Sequence, residues 1–254
     1  MSQPKLRIIT TSWDDGDPAD MRVAALLGAR ALPGTFYVPL TGYRGWPTLR
    51  AGELRELTSR GFEIGGHGVT HRTLQGLPEA EIEYEVRTSK LSLEQAIDRE
   101  VAVFCYPRGR YDRQVLEQVK AAGYRGARTT RMMATEPVFN AFEMPASLQV
   151  FPHTEWTYLR NMAKARNAAR IAGYWRRLRG PGNWVELGKR LFDAVMEEGG
   201  VWHLFGHSWE IEQRGLWAGL EELTDYVSGH PAVTYVTNSG LLDCVPAPTR
   251  PRNS

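Results

Sequence analysis

The sequence predicts an α/β fold closed into a (β/α) barrel of seven or eight units, on three observations. Short β-type runs alternate with amphipathic stretches along most of the chain, the pattern of a mainly parallel sheet. Seven or eight such units in 254 residues fit a barrel better than an open doubly wound sheet. Most of the histidines and an Asp pair fall just beyond strand ends, on the face where a parallel barrel builds its active site.

The first strand, Leu6–Ser12, runs into Asp14-Asp15-Gly16, and Asp17-Pro18 opens a helix over Asp20–Ala31 as cap and first-turn proline. Strand Thr35–Pro39 and helix Ala51–Arg60 follow. Strand Phe62–Gly65 leads into Gly66-His67-Gly68-Val69-Thr70-His71 and then helix Glu79–Ile97. Strand Val101–Tyr106 precedes Arg108 and Arg110, with helix Asp112–Ala122 behind them. Strand Tyr124–Ala127 precedes Thr129 and Thr130, and strand Ser147–Phe151 precedes His153. Helices Trp156–Leu178 and Trp184–Glu198 lead to strand Val201–Phe205, with His207 beyond it. Helix Trp217–Ser228 and strand Thr234–Val236 complete the set, so residues 1–245 form the barrel and 246–254, with three prolines, a flexible tail.

A hydrophobic fraction of 42% and a charged fraction of 24% are those of an ordinary globular protein, and a net charge of +2 is too small for a nucleic-acid binder. Two cysteines, Cys105 and Cys244, make no disulfide framework and are expected reduced. No signal-peptide core and no apolar run of about eighteen residues is present, so the expected location is cytoplasmic with no transmembrane segment.

Two adjacent carboxylates at a strand end raise one another's pKa unless a cation compensates. Taken alone, Asp14-Asp15-Gly16 reads more readily as a structural turn than as a catalytic one. His67 and His71, two of only six histidines, stand four apart in a glycine-rich turn, where both can reach one ion; the plainer alternative is two unrelated surface histidines. An Asp with two His supplies three ligands and leaves a position for water, as in catalytic rather than structural zinc sites.

Ser12-Trp13-Asp14-Asp15-Gly16 resembles the first motif, and His67 to His71 the second, of the NodB-homology polysaccharide deacetylases (carbohydrate esterase family 4). Leu204-Phe205-Gly206-His207 is similar to the family's last motif. The resemblance implies a distorted barrel that removes acetyl groups from N-acetylated sugars. It implies Asp14 as general base, Asp15, His67 and His71 as ligands of one divalent metal, and His207 as general acid. Zinc is the first choice of metal, with cobalt, nickel, manganese and iron(II) as alternatives. Gly68 departs from the Ser or Thr that orders the family's second motif. In Phe104-Cys105-Tyr106-Pro107-Arg108-Gly109-Arg110, Cys105 replaces the arginine that orients the base, a role open to Arg108 or Arg110. Tyr106, Arg108 and Arg110 are the substrate-binding and oxyanion candidates, the backbone N–H near Arg108 foremost. Cys105 and His203 read as packed interior residues and His153 as a loop histidine. The residue that orients His207 is unassigned, Glu210 and Glu143 being candidates.

Between Arg160 and Arg190 lie nine Lys or Arg against one acid, Glu186, a net charge of +8 that leaves −6 for the rest. With apolar residues interleaved, the stretch around 156–190 is expected to be a basic helical insertion. It presents either a solvated face or a surface for a phosphate-bearing substrate or an anionic membrane. The expected function is metal-dependent hydrolysis of an N-acyl group, N-acetyl first, on an amino sugar of intracellular surface-polysaccharide assembly. Two other readings fit the fold: an amidohydrolase of non-sugar amides or ureides, and a catalytically silent glycan-binding barrel.

Overall fold

The computed structural model describes residues 5–42, 45–164 and 183–245. Residues 165–182 of the expected basic insertion and the tail 246–254 lie outside the described residues.

β1 (Arg7–Asp14) is the hub of the sheet. Its β-branched run Ile8 to Thr11 suits a strand covered on both faces, and every residue from Ile8 to Asp14 is buried. It pairs in parallel with β2 (Thr35–Val38) and β7 (Gly200–His207), and near its start with β8 (Thr234–Tyr235). β3 (Glu63–Gly66), β4 (Val103–Cys105) and β5 (Gly126–Arg128) extend outward from β2, and β6 (Leu148–Gln149) flanks β7. Among the described residues the order is β5-β4-β3-β2-β1-β7-β6, with β8 beside β1. A parallel bridge between Arg128 and Met144, just ahead of β6, joins the two ends of this path and curls the sheet into a distorted single-domain barrel.

The outer layer comprises α1 (Asp20–Gly28), α2 (Ala51–Ser59), α3 (Glu79–Ile97), α4 (Arg113–Ala121), α5 (Glu155–Lys164), α6 (Trp184–Glu198), α7 (Ser208–Arg214), α8 (Trp217–Val227) and α9 (Asn238–Cys244). α4 and α6 begin where Asp112 and Asn183 accept the N–H groups of Val115 and Glu186. None of the described helices is long and apolar enough to cross a membrane.

Strand residues alternate between two environments. Ile9, Trp13, Phe36, Phe104, Trp202 and Leu204 belong to the main apolar core with the helices. The alternate positions carry buried polar groups that bond to one another across the barrel. Ser12 Oγ lies 2.8 Å from His203 Nε2, Asn238 donates to Thr10 Oγ1 at 2.8 Å, and the Tyr37 hydroxyl donates to Asn238 Oδ1 at 2.8 Å.

Register then places the chemistry. β1 and β7 run two residues past their expected ends, and Asp14 stands directly opposite His207. Across β4 and β5, Cys105 stands opposite Arg128. Gly65 leaves room for the Tyr37 ring, since a Cβ there would sit 2.4 Å from a ring carbon.

Candidate active site

β1 ends with Asp14 in extended backbone, and Asp15 turns out of the strand with φ 79°. Adjacent carboxylates therefore diverge into different surroundings. Asp15, His71 and Arg108 are three of only six described non-glycine residues with positive φ, a strain that clusters at functional positions.

Asp15 Oδ1 lies 3.0 Å from His71 Nε2 and 3.5 Å from His67 Nε2, and the two Nε2 atoms are 3.1 Å apart. Ligands held about 2.0–2.2 Å from a tetrahedral ion lie roughly 3.3–3.6 Å from one another, so these atoms are spaced as a ligand set. His67 Nδ1 is 2.8 Å from the Cys105 carbonyl, which can only accept, so Nδ1 carries the proton and Nε2 faces the cluster. Asp15 Oδ1 is buried without a hydrogen-bond donor. The pocket thus calls for positive charge, and the donor set fits a divalent ion. Burial opposes charge on His67, but Cys105, Asp15 and Asp14 outweigh it and raise its pKa well above the usual imidazole value. Burial lowers that of His71.

Two partners outside the expected set hold these ligands. The Trp209 indole N–H donates to Asp15 Oδ2 at 2.8 Å, and its ring meets Trp46 edge-on at 5.3 Å. Glu85, buried on α3, accepts the N–H groups of Val69 and Thr70 at 2.7 and 2.9 Å and the Thr70 hydroxyl at 2.6 Å. Gly68, with φ 80°, needs no hydroxyl of its own in a loop ordered from α3.

Asp14 faces a different cation. Arg128 Nη2 donates to Asp14 Oδ1, while Oδ2 lies 3.8 Å from His207 Nε2 and 3.9 Å from Cys105 Sγ. Neither Arg108 nor Arg110 supplies this guanidinium. Both are exposed in the turn after β4, whereas Arg128 reaches inward beside Cys105. Burial would raise the Asp14 pKa, but Arg128, His67 and His207 outweigh it and lower the value. A second group, Asp14, His67 and Cys105, is also close enough to share an ion. Its carboxylate is already neutralised by Arg128, which makes it the poorer cation site.

His207 is 22% exposed at its side chain, with Nδ1 3.4 Å from Glu210 Oε2. Gln149 donates to the same Glu210 oxygen at 3.2 Å and meets His153 Nε2 at 2.9 Å. Burial opposes charge on His207, and Glu210, Asp14 and Asp15 overcome it, so its pKa is raised toward the protonated form a general acid requires. Glu143, the other candidate partner, is engaged by the Tyr111 hydroxyl at 2.8 Å. The Tyr106 side chain is committed to the core: fully buried, it donates to the Phe142 carbonyl at 3.0 Å and stacks on Tyr111. Its N–H donates to the Arg128 carbonyl, and those of Gly109 and Arg110 to Tyr106 and Pro107. Among the described residues, the Arg108 N–H is left in that turn without a backbone acceptor.

Residues 2–127 match the sequence model of the polysaccharide deacetylase family. YxkH of Bacillus subtilis (strain 168), a candidate polysaccharide deacetylase, is 27% identical over 78 residues, which cover 31% of this chain and 28% of that protein. The chain spans less than half the length of the curated relatives it matches. The crystal structure of a candidate polysaccharide deacetylase from Mycobacterium smegmatis aligns with 100% of this chain and 97% of its own, with TM-score 0.68 and 17% identity. A CE4 family pseudoenzyme from Bacillus anthracis aligns with 95% of this chain and 67% of its own, with TM-score 0.57 and 14% identity. At these identities the solved structures establish the fold.

Proposed function

Because the chain belongs to the polysaccharide deacetylase family through residues 2–127, we propose that it hydrolyses an N-acyl group, acetyl first, from an amino sugar. One observation carries this reading. Three converging ligand atoms stand beside a carboxylate and a histidine, Asp14 and His207, whose reactive atoms are 3.8 Å apart. A fold shared with a pseudoenzyme does not decide for catalysis; this residue set is what supports it.

Asp15, His67 and His71 would hold a divalent ion, zinc first, which supplies Lewis acidity to the acyl carbonyl and to water. Asp14 Oδ2 takes the proton as water adds to the carbonyl carbon. The Arg108 N–H, which has no backbone acceptor in its turn, would donate to the carbonyl oxygen as negative charge grows there. His207 Nε2 gives its proton to the sugar nitrogen as the C–N bond breaks, leaving acetate and a free amine. The proton on Asp14 then passes back to His207, which resets the pair.

The exposed Arg108 and Arg110 make no ion pair among the described residues, which favours a substrate with an anionic group, phosphate first. The expected barrel of residues 1–245 with a basic insertion around 156–190 belongs to the same proposal, as attraction for that anion. The test is acetate release from free, oligomeric and nucleotide-linked N-acetyl sugars by zinc-loaded protein. Release that favours the charged sugar and declines with salt supports the full reading. Release at equal rates from neutral sugars removes the anion. No release from any of these substrates at one bound metal per chain would return the silent glycan-binding reading to first place.

A further inference from the structure

We propose that Trp209 positions Asp15 for the metal: its uncharged indole N–H holds one carboxylate oxygen, so that the aspartate ligates through the other with its full negative charge. This rests on the assignment of Asp15 as a ligand. The two oxygens of Asp15 have unlike surroundings. Oδ1 faces His71 Nε2 at 3.0 Å and His67 Nε2 at 3.5 Å, and is buried with no hydrogen-bond donor among the described residues. Oδ2 accepts the indole N–H of Trp209 at 2.8 Å. The backbone of Asp15 has φ 79°, a conformation that a non-glycine residue keeps only where its surroundings fix it.

The donor itself is well supported. Trp209 is the second residue of α7, next to the fully buried Ser208. Trp46 meets its ring edge-on at 5.3 Å, and the His207 ring lies 5.6 Å away. Packing alone would need only an aromatic ring, which phenylalanine supplies. The carboxylate uses the N–H. An indole N–H donates only, so it cannot ligate an ion, and it carries no charge. A cationic donor in its place would neutralise Asp15 and oppose a nearby divalent ion, whereas the indole orients the carboxylate without competing for it. With Oδ2 held, a carboxylate that could ligate through both oxygens is left with one, and the three-ligand set keeps a position for water.

The experiment measures zinc affinity by chelator competition and the visible spectrum of the cobalt(II)-substituted protein, with thermal unfolding of the zinc-free protein as the check on folding. Trp209→Phe should bind zinc about 10- to 100-fold more weakly. Its freed Oδ2 should turn to the ion, and the cobalt absorption should weaken as a fifth donor is added. Trp209→Gln offers a neutral N–H and should recover part of the affinity. Trp209→Lys offers a charged donor and should bind no better than Trp209→Phe. Unchanged or tighter zinc binding in Trp209→Phe, a cobalt spectrum identical to wild type, or equal recovery by Gln and Lys would overturn the proposal. If Trp209→Phe does not fold, the comparison of Trp209→Gln with Trp209→Lys decides in its place. Wild-type zinc affinity in Asp15→Ala would instead sink the ligand assignment, so the two failures are separate.

Discussion

The two adjacent carboxylates are separated by environment. Asp15 faces two imidazoles and Asp14 faces a guanidinium, which gives each aspartate its own test. Asp15→Ala, His67→Ala or His71→Ala should each lower bound zinc and abolish hydrolysis, because a three-ligand site has no spare donor. Metal analysis checks this, and full occupancy in the His71 variant would take that residue out of the site. Asp14→Asn should keep its zinc and lose about two to four orders of magnitude in kcat. Loss of zinc instead would reverse the assignment of the pair. These residues were legible because polar groups at strand ends and two close histidines stand out in a chain with six. Arg128 was not. It lies one position past the expected strand end at Ala127, and only the pairing of β4 with β5 turns it inward. Trp209 was hard to read for another reason: α7 spans only Ser208–Arg214, too short for a periodic signal, and Glu210 could be named only as one of two candidate partners of His207.

Every expected strand has its counterpart, displaced by at most two residues at either end, because hydrophobic alternation shows where a strand lies and its neighbours decide where pairing stops. Helices Glu79–Ile97 and Trp184–Glu198 coincide with α3 and α6, the two longest of the described helices. What the alternation does not reveal is which helix supports which loop. α3 holds the metal-binding loop through Glu85, which carries three short hydrogen bonds and an ion pair with Arg72 at 3.1 Å. Glu85→Ala should leave the buried Val69 N–H and the part-buried Thr70 N–H without their acceptor, costing about 1–3 kcal/mol of stability for the buried group, and weaken zinc about 10- to 100-fold. Glu85→Gln keeps an oxygen for both N–H groups and should restore most of the affinity. Chelator competition measures the zinc and thermal unfolding the stability. A Glu85→Ala protein with wild-type zinc affinity would show that the loop orders itself.

At the scale of the whole molecule, the barrel interior is polar rather than oily, and this has a consequence for its pH range. His203 sits fully buried below the site, with Nε2 against Ser12 at 2.8 Å and Nδ1 donating to the Pro145 carbonyl at 3.0 Å. Burial, and then the positive charge of Arg128, depress its pKa from 6.5 to about 3. The folded protein therefore keeps His203 neutral where the unfolded chain protonates it. That contribution to stability is complete above pH 6.5 and is lost as pH falls from 6.5 toward 3. Its slope is at most about 1.4 kcal/mol per pH unit. Other buried groups titrate over the same range, so the effect must be read as a difference between two proteins. His203→Gln preserves an acceptor and a donor but cannot take up the proton. With both proteins zinc-saturated, denaturant unfolding at constant salt should show the wild type losing stability faster than the variant between pH 6.5 and 4.5, and the two curves running parallel above pH 7. Parallel curves across the whole range would mean that His203 is protonated in the folded barrel, and that Ser12 or Asn238 accepts its charge.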